Sequence, residues 1–178
     1  MFFTPFVILG DTGRPLYVKI EAATEHDLQQ THDDPPWQTD WCSEYLSNPD
    51  VSKYALKTPD NELIALGAYQ VISGKAYVYI LYLESAPNSN PTIVKTTDRK
   101  YYGIGEVRIA FGIKFSIDNG CRGDIVFEAK TDELAKHYVS DFHAKPLPTF
   151  SGGPNRLMLA DEDAWRLFSK YLSEEEML

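Results

Sequence analysis

Basic residues are the first shortage in this sequence. Lysine and arginine number 17 against 26 aspartates and glutamates, a formal net charge of −9 at pH 7. A chain so acidic repels nucleic-acid phosphates and anionic membranes, and it favours a basic partner such as an amine. Cysteine is scarcer still, at two residues. Cys42 and Cys121 have no metal-ligand spacing, so the expectation is reduced thiols in a cytoplasmic protein without a metal. No apolar run approaches the ~18–20 residues of a membrane span. The apolar start, Met1 to Leu9, lacks a basic leader, contains Pro5 and turns polar at Gly10-Asp11 without a small-residue cleavage site. It reads as folded structure. Internal repeats and low-complexity linkers are also missing. What remains, 178 residues with 43% hydrophobic and 13% aromatic content, is expected to form one domain over 1–178 with its own core.

The most informative stretch is Lys100-Tyr101-Tyr102-Gly103-Ile104-Gly105. Before it, Ala76 to Glu84 is almost unbroken apolar and aromatic, the pattern of a buried strand. After it, Glu106 to Asn119 carries apolar residues on two stripes, a helix covered on more than one side and closed by Gly120. A glycine-rich turn opening a helix presents backbone N–H groups at the positive end of the helix dipole, where phosphate binds. A dinucleotide or kinase loop needs a third glycine where Arg108 stands. A P-loop needs Gly-Lys-Ser/Thr where Glu106 and Val107 stand. The pattern Gln/Arg-x-x-Gly-x-Gly/Ala fits, with Lys100 first and Gly103 and Gly105 following. A plain structural turn fits these glycines as well.

Further on, Gly123 to Ala129 is a short strand, followed by Thr131-Asp132-Glu133-Leu134-Ala135-Lys136-His137-Tyr138. Loop, helix, strand and tyrosine-bearing helix in this order resemble the GNAT N-acyltransferase superfamily, whose second motif reads roughly Asn-x-x-Ala-x-x-Phe-Tyr. Ala135 and Tyr138 match; Asp132 stands where asparagine is usual and His137 where phenylalanine is usual. Phe142-His143 replace a frequent Gly-Phe pair, so the end of that helix is expected to differ. The resemblance spans about Leu16 to Leu172 and implies an α/β GNAT fold, a mixed central sheet flanked by helices.

The remaining segments read as follows. Phe2–Leu9 and Leu16–Ala22 form a hairpin around Gly10–Pro15, adding a strand ahead of the usual first one. Thr24 to Pro36 is a polar loop or short helix; His32-x-Asp34 lacks further matched ligands and is taken as solvated. Trp37 to Leu46 is expected as a helix with Trp37, Trp41 and Tyr45 on one side, either lining an acceptor cleft or packing on the sheet. Val51–Lys57 and Leu63–Ile72 form a second hairpin, and Ser73-Gly74-Lys75 leads into the next strand. Ser85 to Arg99 is a long polar loop with no apolar periodicity to anchor it, of a length that is usually functional or mobile. Arg156–Ala160 is the last strand. Asp161–Leu172 is a C-terminal helix that packs on the core, with a homodimer contact as the other reading.

The resemblance implies transfer of an acetyl group from acetyl-CoA to an amine acceptor, small molecule or peptide, by direct attack. Backbone amides of Tyr101, Tyr102, Gly103, Ile104 and Gly105 are expected to hold the pyrophosphate, with Lys100 adding charge. An amide at Leu83, Glu84 or Ser85 is expected to polarise the thioester oxygen. Tyr138 takes the place of the general acid that protonates the leaving thiolate. Glu84 is the candidate base, with a water chain as the alternative. A non-catalytic acyl-CoA-binding or regulatory protein of the same fold is the other reading of function.

Overall fold

Short apolar runs separated by glycine, proline and asparagine turns give a chain of many strands and few helices in the computed structural model, which describes residues 1–72, 74, 76–94 and 97–175. Ser73 and Lys75 of the expected connector and Lys95 and Thr96 of the expected long loop lie outside the described residues. The elements are β1 (Phe2–Phe3), β2 (Phe6–Leu9), β3 (Pro15–Tyr17), β4 (Lys19–Ala22), α1 (Glu25–Gln30), a 3₁₀ turn (Tyr45–Ser47), β5 (Ser52–Lys57), β6 (Leu63–Val71) and β7 (Val78–Ser85). After these come β8 (Tyr101–Tyr102), α2 (Ile104–Asp118), β9 (Ile125–Ala129), α3 (Asp132–Phe142), β10 (Lys145–Pro146), β11 (Asn155–Leu159), α4 (Asp161–Ser169) and β12 (Leu172–Ser173). Seven strands form the main sheet in the order β10-β11-β9-β7-β6-β5-β4. β7 and β9 run parallel while β9–β11 and β4–β5 are antiparallel, the mixed α/β sheet expected from the sequence.

The expected N-terminal hairpin forms, with Val7 opposite Leu16. β2 and β3 join β8 in a separate three-stranded sheet, and the second run breaks at Val18, whose amide bonds the Pro5 carbonyl at 3.0 Å. Only β4, after that break, enters the main sheet.

The helix expected over Trp37 to Leu46 is absent; turns fill the stretch up to the 3₁₀ turn. Its donors are bonded elsewhere. The amides of Gln38 and Thr39 and the Trp41 indole all reach Glu84, the Cys42 amide bonds Asp40 Oδ1, and the Leu46 amide meets Ser43 Oγ. Asp40 and Ser43 offer the backbone short local partners, and the remote Glu84 carboxylate takes the Gln38 and Thr39 amides, in place of i→i−4 carbonyls. Trp41 is fully buried while Tyr45 is exposed, so the aromatics do not share one packed face.

The contacts divide the chain into two compact units. The first comprises Met1–Ala68, Tyr82–Arg108 and the C-terminal residues from Leu172. Trp41, Leu46, Leu56, Ile64 and Leu66 are among its buried core. The second comprises Tyr69–Leu81 and Ile109–Tyr171. Here Tyr69 meets Phe111 edge-on at 5.3 Å, and Ile109, Ala110 and Ile113 of α2 are buried. No helix among the described residues is long and apolar enough to cross a membrane.

Candidate active site

The turn into α2 is held from behind by the N-terminal hairpin. Leu9 and Ile8 pair with Tyr101 and Tyr102, and the Gly10 amide donates to the Lys100 carbonyl at 2.8 Å. A Cβ at Gly10 would lie 2.0 Å from the Arg99 carbonyl oxygen, so only glycine permits this approach. Gly103 has φ +79°, the left-handed turn that swings the chain from β8 into the helix. Its carbonyl accepts from the Val107 amide at 3.1 Å, which leaves the amides of the first turn ahead of the intrahelical ladder. Gly105 is different. Its backbone is not left-handed, and beyond its chain neighbours and its own helix backbone an added Cβ would meet no atom of the described residues within 4 Å. Among the described residues, neither conformation nor packing calls for glycine there.

Two expected cofactor contacts are engaged within the protein. The Tyr101 amide donates to Ser89 Oγ at 3.1 Å, which removes it from the set of amides expected to face phosphate. Lys100 Nζ lies 2.9 and 3.1 Å from the two carboxylate oxygens of Glu62, and the Tyr101 hydroxyl donates to the same carboxylate at 2.7 Å. The Glu62 bond raises the Lys100 pKa. Burial pushes Glu62 up, yet the bonds from Lys100 and Tyr101 outweigh it and hold its carboxyl below the ordinary range. The cation not foreseen from sequence is Arg99, whose guanidinium carbon sits 5.5 Å from the Tyr102 ring centroid beside the loop.

The expected long loop is anchored by polar contacts. The Ala86 amide bonds the Ile64 carbonyl, the Lys100 amide bonds Asn88, and Asn90 and Thr92 reach Gln38 Oε1 at 3.4 and 3.1 Å. Ser89 and Asn90 are buried. Apolar periodicity was the wrong signal to look for in this segment.

At the end of β7, Leu83 is half-buried and Glu84 is 3% exposed. The Glu84 carboxylate accepts from Gln38 N at 2.6 Å, Thr39 N at 3.0 Å and Trp41 Nε1 at 3.0 Å. Ser85 is buried, and its hydroxyl accepts from Arg108 Nη2 at 3.3 Å. Arg108, 6% exposed, also donates from Nε to the Ile104 carbonyl and from Nη1 to the Leu66 carbonyl. A single buried guanidinium thus ties the first turn of α2 to β6 and to the end of β7. Its one sequence signal is that it is the only charge between Val107 and Ile113.

In the second unit, the β7–β9 ladder covers Val78–Ile80 against Ile125–Phe127, while β7 itself runs on to Ser85. Tyr138 on α3 is half-buried, edge-on to Phe127 at 5.2 Å and stacked with Phe142 at 5.8 Å. The helix is capped by Thr131, and Asp132, at the family's asparagine position, accepts from Asn155 at 2.8 Å. His137 pairs with Asp141 on the exposed face at 2.7 Å. The helix ends on a left-handed cap, where His143 adopts φ 59°, ψ 30°.

No family model and no curated protein matches the sequence. Solved structures do. A spermidine/spermine N-acetyltransferase from Vibrio cholerae superposes with a TM-score of 0.53 at 12% identity, over 80% of this chain and 91% of that one. The acyl-CoA N-acyltransferase assigned in Klebsiella pneumoniae gives 0.51 at 13% identity, over 80% and 94%. A dodecameric Vibrio cholerae spermidine N-acetyltransferase gives 0.53 at 13%, over 89% and 98%. The chain has the GNAT fold. At such identities the likeness is one of GNAT architecture, and the chemistry rests on this chain's own residues.

Proposed function

We propose that this chain is an acyl-CoA-dependent N-acyltransferase, an N-acetyltransferase in its simplest form, working as one domain in the cytoplasm. The observation that carries the reading is Gly105, a glycine on the first turn of α2 that no contact among the described residues requires. A side chain there would stand over the first-turn amides, so its absence suits close approach of a pyrophosphate. In this reading the amides of Ile104 and Gly105 hold the pyrophosphate and Arg99 supplies positive charge near it. Lys100, paired with Glu62, serves as a brace.

The acetyl thioester oxygen is polarised by an amide at Leu83 or Ser85, at the end of β7. The amine attacks the carbonyl carbon directly, the C–S bond breaks, and the Tyr138 hydroxyl gives its proton to the departing thiolate. Glu84 takes a positioning role in place of the base expected from sequence. Three of the roughly four lone-pair sites of its carboxylate are occupied by the 38–41 segment, so it fixes that segment, and water removes the ammonium proton. The acceptor is a cationic amine. From Ile20 to Ser52 the chain holds eight carboxylates and no lysine or arginine, a field that draws cations. Two of the structural neighbours are named for spermidine, an amine of this kind.

Release of free CoA thiol from acetyl-CoA in the presence of a panel of polyamines, amino acids and lysine peptides tests the reading. Amine-dependent release supports it. Acetyl-CoA binding with no release on any amine would favour the non-catalytic alternative.

A further inference from the structure

The helix expected at Trp37–Leu46 is replaced by a turn, and the turn brings together three side chains of different ligand chemistry. His32 Nε2 lies 3.5 Å from Asp40 Oδ1, and the donor atoms of His32, Asp40 and Cys42 all fall within 4.8 Å of one another. We propose that His32, Asp40 and Cys42 form a binding site for a divalent transition ion, zinc by the chemistry of the donors, with a fourth position for water. The sequence pointed to His32-x-Asp34 and found no partner; the partners come from the far side of the turn.

Donor type selects the ion. Magnesium and calcium want oxygen cages, whereas one imidazole, one carboxylate and one thiolate suit zinc or cobalt. Bonds of ~2.0–2.3 Å around a tetrahedral ion separate its donors by roughly 3.3–3.6 Å. The His32–Asp40 separation already meets that value, and the Cys42 thiol lies within 4.8 Å of both donors. The backbone on both sides is braced. The His32 amide bonds Gln29 just past α1, the Trp37 amide bonds Thr31 at 2.9 Å, and the Cys42 amide orients Asp40 at 3.0 Å. Between Asp40 and Cys42, Trp41 is fully buried and bonded to Glu84. His32 and Asp40 are both exposed, and Cys42 is half-buried, so an ion can enter from solvent. Binding would cross-link residue 32 to residues 40–42 and hold the amides of Gln38 and Thr39 in their contact with Glu84. A surface His–Asp pair is the plain alternative, and it gives the thiol nothing to do.

Cobalt(II) titration of chelator-treated, phosphine-reduced full-length protein separates the two. The proposal expects one cobalt per chain, a thiolate-to-cobalt charge-transfer band, and d–d bands of tetrahedral strength, all reversed by added zinc. Cys42→Ser should abolish the charge-transfer band while Cys121→Ser keeps it. His32→Ala and Asp40→Ala should each weaken cobalt binding by more than the ~10–100-fold typical of losing an outer-shell partner. Circular dichroism and the urea midpoint confirm that each variant folds. Absence of the charge-transfer band at saturating cobalt in the reduced wild type, or its persistence in folded Cys42→Ser, would overturn the site.

Discussion

Tyr138 shows how much a single residue's environment decides. Its ring is fixed by Phe127 and Phe142, so Tyr138→Phe removes the hydroxyl and keeps the packing. With the phenol as general acid, turnover should fall by about one to three orders of magnitude while acetyl-CoA affinity holds. A purely packing tyrosine would leave turnover within about twofold and move only stability, by ~0.5–1.5 kcal/mol. Steady-state kinetics alongside a melting curve distinguishes them. The helix that carries Tyr138 was legible in the sequence because its motif is local. The surroundings of Glu84 were not: its donors lie 43 to 46 positions away, and nothing in a strand-end glutamate announces them. The partner of Lys100 was hidden for the same reason, since Glu62 pairs with it across 38 positions.

At the scale of elements, periodicity read the long, apolar pieces well. β6, β7, α2 and β9 stand close to where alternating or helical patterns put them, because each is buried and its pattern is the imprint of that burial. It failed where polar side chains compete for the backbone, as in 37–46, and where pairing is remote, as in β2 against β8. The end of α3 offers a test. His143 holds a left-handed conformation that favours glycine, and its ring contacts Asp163 and Arg166 on the exposed surface. Relief of the backbone should outweigh those solvent-screened contacts, so His143→Gly is expected to stabilise by roughly 0.5–1 kcal/mol. His143→Val should destabilise by at least ~1 kcal/mol, because a branched Cβ fits that region worst. Urea denaturation of the three proteins gives the answer.

For the molecule as a whole, the acidic charge is set against a buried ion pair. Lys57 Nζ meets Asp27 and Glu21 at 2.9 Å each, and Asp27 is 2% exposed. Burial pushes the Asp27 carboxyl up, but hydrogen bonds from the Thr24 amide and from Lys57 outweigh it and hold it below its ordinary value. The unfolded chain therefore takes up this proton first as the pH falls. The stability Asp27 contributes is present above the ordinary carboxylate pKa of about 4 and is lost as the pH drops through the lower folded value. Asp27→Asn should cost about 1.5–3 kcal/mol at neutral pH and flatten the acid limb of the stability curve below pH ~4. An unchanged acid limb would assign acid unfolding to other carboxylates. The net charge and the GNAT architecture were both readable from sequence, the first by counting and the second by motif order. The buried Asp27–Lys57 pair was not, since both look like ordinary surface residues in the chain.

Acetyl-CoA at the first turn of α2 is the claim on which the rest depends, and isothermal titration of wild type and Gly105→Val addresses it most directly. Gly105 has open space around it and no left-handed backbone, so valine should leave the fold and its melting temperature within a few degrees. Wild type is expected to bind acetyl-CoA with one-to-one stoichiometry, and Gly105→Val to lose binding by at least about tenfold while remaining folded. No heat of binding in the wild type at millimolar acetyl-CoA, or equal affinity in the valine variant, would contradict the account.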